Sequence, residues 1–261
     1  MEWWQAIVLG LVEGVTEYLP VSSTGHLILA QRALGIGDDE ASRTFAIAIQ
    51  SGAIAAVLGL YFPRIRALAA GRAPALLGKI VLAFLPAAIA GFLLEKTIDA
   101  HLFGIWPVVA AWLVGGLAIV LLARRLAGGT RGLEQLDART ALLVGLCQCL
   151  ALWPGTSRSL ATIGGGLLLG LSMPAAVEFS LLLGLVTLAA ATSWKALRHG
   201  RVMLDTYGGL ATALGFLAAA ISAWIAVKWM VGWLERRGLS LFGWYRILLA
   251  IGVAAWILAK S

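Results

Sequence analysis

Apolar runs of about 12 to 20 residues, parted by short polar breaks, fill nearly the whole chain. The first two, 3–19 and 24–35, are broken at Pro20. A helix needs about 20 apolar residues to cross a bilayer core, so the second is too short, and the pair predicts a re-entrant helical hairpin. Spanning helices are predicted at 44–62 (stopping at Pro63), 80–95 and 105–123. The breaks between them hold the acidic triplet Asp38-Asp39-Glu40, the basic loop with Arg64, Arg66, Arg72 and Lys79, and a turn with Lys96, Asp99 and His101. The longest polar stretch, 124–139 with Gly128-Gly129 at its middle, reads as a linker.

After the linker the pattern starts again. A Pro-broken pair at 140–153 and 157–171 precedes spans near 175–194, 207–230 and 244–260. Gly10-Leu11-Val12-Glu13 matches Gly145-Leu146-Cys147-Gln148, Leu19-Pro20 matches Trp153-Pro154, Ser23 matches Ser157, and Phe45 matches Phe179. Two interrupted apolar pairs in corresponding places point to a paired-repeat membrane fold. Three full spans in each half is an odd number, which predicts opposite orientations for the halves. The expected fold is an all-α polytopic membrane protein of two inverted-topology repeats, 1–123 and 140–261, each a hairpin plus three transmembrane helices. Together they form a single membrane domain.

Composition narrows the class further. With 61% hydrophobic and 13% charged residues and a mean hydropathy of +0.91, the chain lies far from the soluble norm of about 25% charged. The start MEWWQ lacks a basic n-region and predicts no cleaved signal. The net charge of +7 sits in short loops, where it sets topology and meets anionic membrane lipid. No nucleic-acid partner is expected. Several of the eleven Trp lie near segment ends, as in an interfacial belt. Cys147 and Cys149, spaced C-x-C in an apolar run, are half a metal site at best and read as structural filling.

Against that apolar background two stretches carry chemistry. In EGVTEYLPVSSTGH, Glu13 and Glu17 are four apart and share a helix face. Carboxylates at membrane depth are costly unless a cation meets them. Pro20 ends that helix. Ser22, Ser23 and Thr24 are candidate caps for the next, and Gly25 permits close backbone approach to a ligand. A hydroxyl-rich helix start is a seat for phosphate. In WPGTSRS, Pro154-Gly155 forms a tight turn and Thr156 or Ser157 caps the helix that follows. Arg158 in the first turn opposes the helix dipole, so its placement asks for an anion. Beside Ser157, Ser159 and free N–H groups, its guanidinium fork suits phosphate oxygens. Thr162, one turn on, extends the same face, and Glu178 reads as a buried partner for a cation or a helix-start residue. This inventory fits phosphoryl chemistry. Arg158 offsets charge on the transferring group, Glu13 and Glu17 hold a divalent cation, and His26 is nucleophile or general acid.

EGVTEYLPVSSTGHLIL together with LALWPGTSRSLAT closely resembles the undecaprenyl-diphosphate phosphatase family, the bacitracin-resistance type of bacterial membrane lipid phosphatase. The likeness extends through FAIAIQSGAIAAV and AAVEFSLLLG to essentially the whole chain. It implies hydrolysis of undecaprenyl diphosphate to the monophosphate in the inner membrane, recycling the carrier for peptidoglycan synthesis. It also implies a divalent metal (Mg or Ca) and a site of Glu13, Glu17, His26, Pro154, Gly155, Ser157 and Arg158, with Ser23 and Thr162 as lesser members. Ser22, Thr24, Thr156 and Ser159 complete the expected phosphate contacts, and a homodimer is an available assembly. Two positions depart from the family pattern. Leu160 stands where many relatives have Gly and Ala46 where many carry an acid, which bears on rate and metal preference. A rival reading on the same architecture is a lipid-phosphate carrier. The carboxylate pair argues against it, because uncompensated carboxylates would repel its cargo.

Overall fold

The computed structural model describes residues 1–37 and 40–259, so Asp38 and Asp39 of the acidic triplet lie outside the described residues. Ten α-helices follow in order among the described residues: α1 Trp3–Thr16, α2 Ser23–Ala33, α3 Glu40–Leu60, α4 Phe62–Ala69, α5 Pro74–His101, α6 Ile105–Leu121, α7 Ala138–Gln148, α8 Arg158–Leu168, α9 Met173–Arg237 and α10 Ser240–Leu258. The only extended pairing among them is an isolated bridge between Arg131 and Leu171. The all-helical, multi-pass expectation holds.

Among the described residues, five stretches are long and apolar enough to cross a membrane: Ala41–Leu60, Pro74–Ile98, Met173–Arg198, Asp205–Arg237 and Ser240–Leu258. The sixth expected span, α6, is apolar throughout and 17 residues long. Several boundaries differ from the sequence reading, mostly because helix runs on through polar residues. The turn expected around Lys96 and His101 is the last part of α5, and Pro86 sits inside that helix. The basic loop after Pro63 contains α4, with the proline in its first turn, where a missing N–H costs little. The expected spans 175–194 and 207–230 fall on two helical stretches, Met173–Arg198 and Asp205–Arg237, carried together as α9 and joined across a kink at Gly208 (φ 76°). The loop expected at 231–243 shrinks to the two residues between Arg237 and Ser240.

Contacts divide the chain into two compact units. The first comprises Met1–Leu19, Ser23–Pro74 and Gly184–Trp229. Its core gathers Ala6, Leu9, Leu27, Phe45, Ile49, Ala211 and Ala219. Lipid tails are as apolar as leucine, so helices there associate through small residues that let backbones approach. Here Gly10 and Gly14 on α1 face Gly215, Ala218, Ala219 and Ser222 on α9. A Cβ on Gly14 would stand 2.8 Å from the Ala223 nitrogen. Gly52 of α3 meets the same face of α9, with Ala219 Cβ 3.1 Å from where its own Cβ would be.

The second unit comprises Pro20–Ser22, Ala75–Leu183 and Met230–Ser261. Its contact of α6 on α10 also rests on glycine. A Cβ on Gly116 would lie 2.8 Å from the Gly243 carbonyl oxygen, and one on Gly243 2.9 Å from Ile119 Cγ2. The stretch read as a linker is ordered and docks on the end of α8. Gly129 N–H donates to Leu171 O (2.9 Å), Arg131 N–H to Gly170 O (3.3 Å), and Ser172 N–H returns to Arg131 O (2.9 Å). Asp137 then caps α7, accepting from Thr140 N–H at 2.7 Å. That bond and the Arg131 guanidinium, 2.6 Å away, bring its carboxyl down to about 2.

Candidate active site

In the first unit the break after α1 brings Glu13, Glu17 and Ser23 together. Glu17 closes the last turn of α1, its N–H donating to Glu13 O at 2.9 Å. Both side chains are buried, Glu13 at 1% and Glu17 at 6% exposure, on a helix whose opposite face carries the exposed Leu11 and Val15. Ser23, the first residue of α2, donates its hydroxyl to Glu17 Oε2 at 2.5 Å. Gln50 of α3 donates to the same oxygen at 3.3 Å. Thr192 of α9 orients that amide by donating to Gln50 Oε1 at 3.1 Å. A glutamine fixed in this way can only present its NH₂ to the carboxylate. Sequence reasoning quoted FAIAIQ without singling out Gln50, and Thr192 lacked any signal beyond a hydroxyl in an apolar run.

Glu13 Oε1 is buried with no hydrogen-bond partner among the described residues. An orphaned carboxylate oxygen beside a second carboxylate is a donor set for a hard cation. No group of three or more His, Cys, Asp and Glu gathers among the described residues. The pair therefore suits a cation that keeps water or takes ligand oxygens, as magnesium does, better than one enclosed by protein. Thr24 and His26, both half-buried, lie on the first turn of α2 with Ser23.

The second unit builds the other cluster around Pro154-Gly155. Gly155 has φ +97°, and a Cβ there would stand 2.9 Å from Val108 O and 3.0 Å from Ala111 Cβ, so the turn requires glycine twice over. Thr156 N–H closes the turn onto Trp153 O at 3.1 Å. Ser157, and not Thr156, caps α8: its Oγ accepts from Leu160 N–H at 3.3 Å and meets Ser159 Oγ at 2.9 Å. Arg158 Nη1 donates to Ser180 O at 3.0 Å. Thr162 Oγ1 donates to Arg158 O at 2.9 Å and meets Ser180 Oγ at 2.6 Å. Ser180 of α9 thus braces both the guanidinium and the helix turn that carries it; it lies within AAVEFSLLLG, where the sequence alone does not single it out. Glu178 lies half-buried on α9, two residues before Ser180.

Ser22 and Ser157 share a backbone geometry found at no other non-glycine residue described: φ 74°, immediately before α2 and α8. The local geometry therefore matches Ser157 with Ser22, one residue away from the Ser23 match read in the sequence. A left-handed serine costs on the order of 1–3 kcal/mol. In both breaks the left-handed serine turns the chain so that a helix starts at once, at Ser23 and at Arg158.

Residues 6–252 match a family profile described as bacitracin resistance protein BacA. The chain belongs to this family. The BacA match is supported by curated relatives along almost the full length. An undecaprenyl-diphosphatase of Sorangium cellulosum is 44% identical, covering 98% of this chain and 87% of its own. One from Methylococcus capsulatus is 42% identical over 98% of both chains. One from Nitrosomonas europaea is 45% identical over 95% of this chain and 93% of its own. In this BacA chain Ala46, at the position read as departing from the family, packs half-buried against the first unit's core. The other departure, Leu160, contributes its N–H to the Ser157 cap.

Proposed function

We propose that this chain hydrolyses undecaprenyl diphosphate to undecaprenyl phosphate and inorganic phosphate in the bacterial inner membrane. The observation that carries the reading is full-length kinship with undecaprenyl-diphosphatases in a chain whose buried Glu17 carboxylate is held by two donors beside the orphaned oxygen of Glu13. Glu13 and Glu17 would hold a divalent cation, Mg or Ca, which when bound offsets charge on diphosphate oxygens. Arg158 supplies a second, fixed positive charge for the phosphoryl group. Ser157, Ser159 and the positive dipole end at the start of α8 take phosphate oxygens, and Ser22 and Thr24 do so at the start of α2. His26 supplies an imidazole for attack on, or protonation of, the phosphate; phosphohistidine trapped by rapid quench separates the two.

The basic loops set the orientation. Arg64, Arg66 and Arg72 lie between α3 and α5, Arg124, Arg125 and Arg131 between α6 and α7, and Arg236 and Arg237 at the turn into α10. The positive-inside rule makes their side cytoplasmic. The active site then opens toward the periplasm, where the lipid diphosphate product of glycan transfer appears. Purified protein in detergent, given undecaprenyl diphosphate and a metal titration, should release phosphate and lose that activity in chelator. Binding of the lipid without phosphate release would overturn the phosphatase reading and leave a carrier.

A further inference from the structure

Arg246 lies near the middle of α10 in an otherwise apolar stretch and is 0% exposed. Its partners are all backbone carbonyls: Nη1 donates to Pro20 O at 3.3 Å, and Nη2 to Ala111 O at 2.8 Å and Gly155 O at 2.9 Å. No carboxylate pairs with it, and its Nε–H is unpartnered among the described residues. A buried guanidinium without a counter-ion is expensive, several kcal/mol after relaxation. The groups it holds indicate what offsets that cost. Pro20 and Gly155 are the two points at which the broken helices turn, and each precedes a serine at φ 74° by two residues. Trp112 of α6, also fully buried, reinforces the first turn by donating Nε1–H to Val21 O at 3.0 Å. Space for the guanidinium comes from Gly115, where a Cβ would stand 2.9 Å from Arg246 Cζ.

We infer that Arg246 is a positioning residue for phosphate hydrolysis, tying the Pro20 turn to the Gly155 turn and so fixing the left-handed Ser22 and Ser157 and the helix starts behind them. A fork with several fixed N–H groups can bind three carbonyls from three segments at once, which the point charge of lysine cannot. The residue reaches the reaction through the two turns and rests on the phosphatase reading above.

The test uses full-length protein in detergent with undecaprenyl diphosphate. Wild-type turnover is the control: its absence would fail the phosphatase reading, not this one. Arg246→Lys keeps the charge and loses the geometry. Gly115→Ala leaves Arg246 in place but drives its flexible tip off the carbonyls, with a residue that favours helix. Each should lower kcat and kcat/KM together by about 100-fold, the scale of a misplacement near 1 Å, while the melting temperature in detergent stays close to wild type. A folded variant of either kind with wild-type kcat would overturn the inference. Should Arg246→Lys fail to fold, Gly115→Ala decides alone.

Discussion

Ser23 offers the sharpest test of how the carboxylate cluster works, because its hydroxyl is committed. It donates to Glu17 Oε2 at 2.5 Å, with 7% and 6% of the two residues exposed. A buried hydrogen bond to a charged group contributes about 1.5–3 kcal/mol, and each 1.4 kcal/mol is about tenfold. Ser23→Ala should therefore cut kcat/KM by ~10- to 100-fold through misplacement of Glu17. Gln50→Leu removes a longer contact to the same oxygen, 3.3 Å, and should cost less, about 0.5–1.5 kcal/mol or ~3- to 10-fold. The decisive measurement is a double-mutant cycle in the phosphate-release assay. With Glu17→Gln as background, the Ser23 substitution should be nearly silent, since the group it orients has lost its charge. An equal loss in both backgrounds would refute the reasoning and put the Ser23 hydroxyl on the substrate instead.

Arg158→Lys keeps charge but loses the fork that reaches Ser180 O, so turnover should fall ~100-fold or more; near-normal activity would reduce its role to a general field. Glu17→Gln should raise the metal concentration for half-maximal activity more than Glu13→Gln does, since Glu17 alone is anchored by Ser23 and Gln50; unchanged metal dependence in both would remove the cation from the pair. For orientation, a cysteine replacing Gly37, where a Cβ meets nothing within 4 Å, should react with an impermeant maleimide in intact cells lacking Cys147 and Cys149. One replacing the exposed Thr130 should not, and the reverse would invert the topology. Ser42, in the same region as Gly37, is fully buried and would report nothing.

Much of the molecule was legible in the sequence because it is written in polar residues on an apolar ground. Glu13, Glu17, Ser157 and Arg158 stand out there. The breaks at Pro20 and Pro154 are where proline must end a helix. Less visible was anything whose role depends on partners far away in the chain. Gln50 and Thr192 became significant only through a contact spanning 142 residues. Arg246 is hidden differently: a lone arginine inside an apolar run marks a functional position by default, but the hydropathy of the span around it is high enough to absorb one charge. Helix ends were misplaced where Lys96, His101 and Arg236 continue a helix into polar surroundings, since hydropathy marks the edge of lipid and not the edge of helix.

The glycine contact between α1 and α9 has a consequence for how the protein is made. At 14 residues, α1 is too short to be held by lipid as a spanning helix, and it carries Glu13 and leads directly into Glu17. Its seat is the face of α9 around Gly215 and Ser222, about 200 residues later in the chain. At ~5–20 residues per second of synthesis, the ribosome takes ~10–40 s to supply that surface. Until then the Gly10 and Gly14 face of α1 lacks the surface it packs against, and a nascent chain stalled before residue 215 carries α1 without that seat. Helix α1 is thus the first element made, and it waits for one of the last before its glycine face is covered.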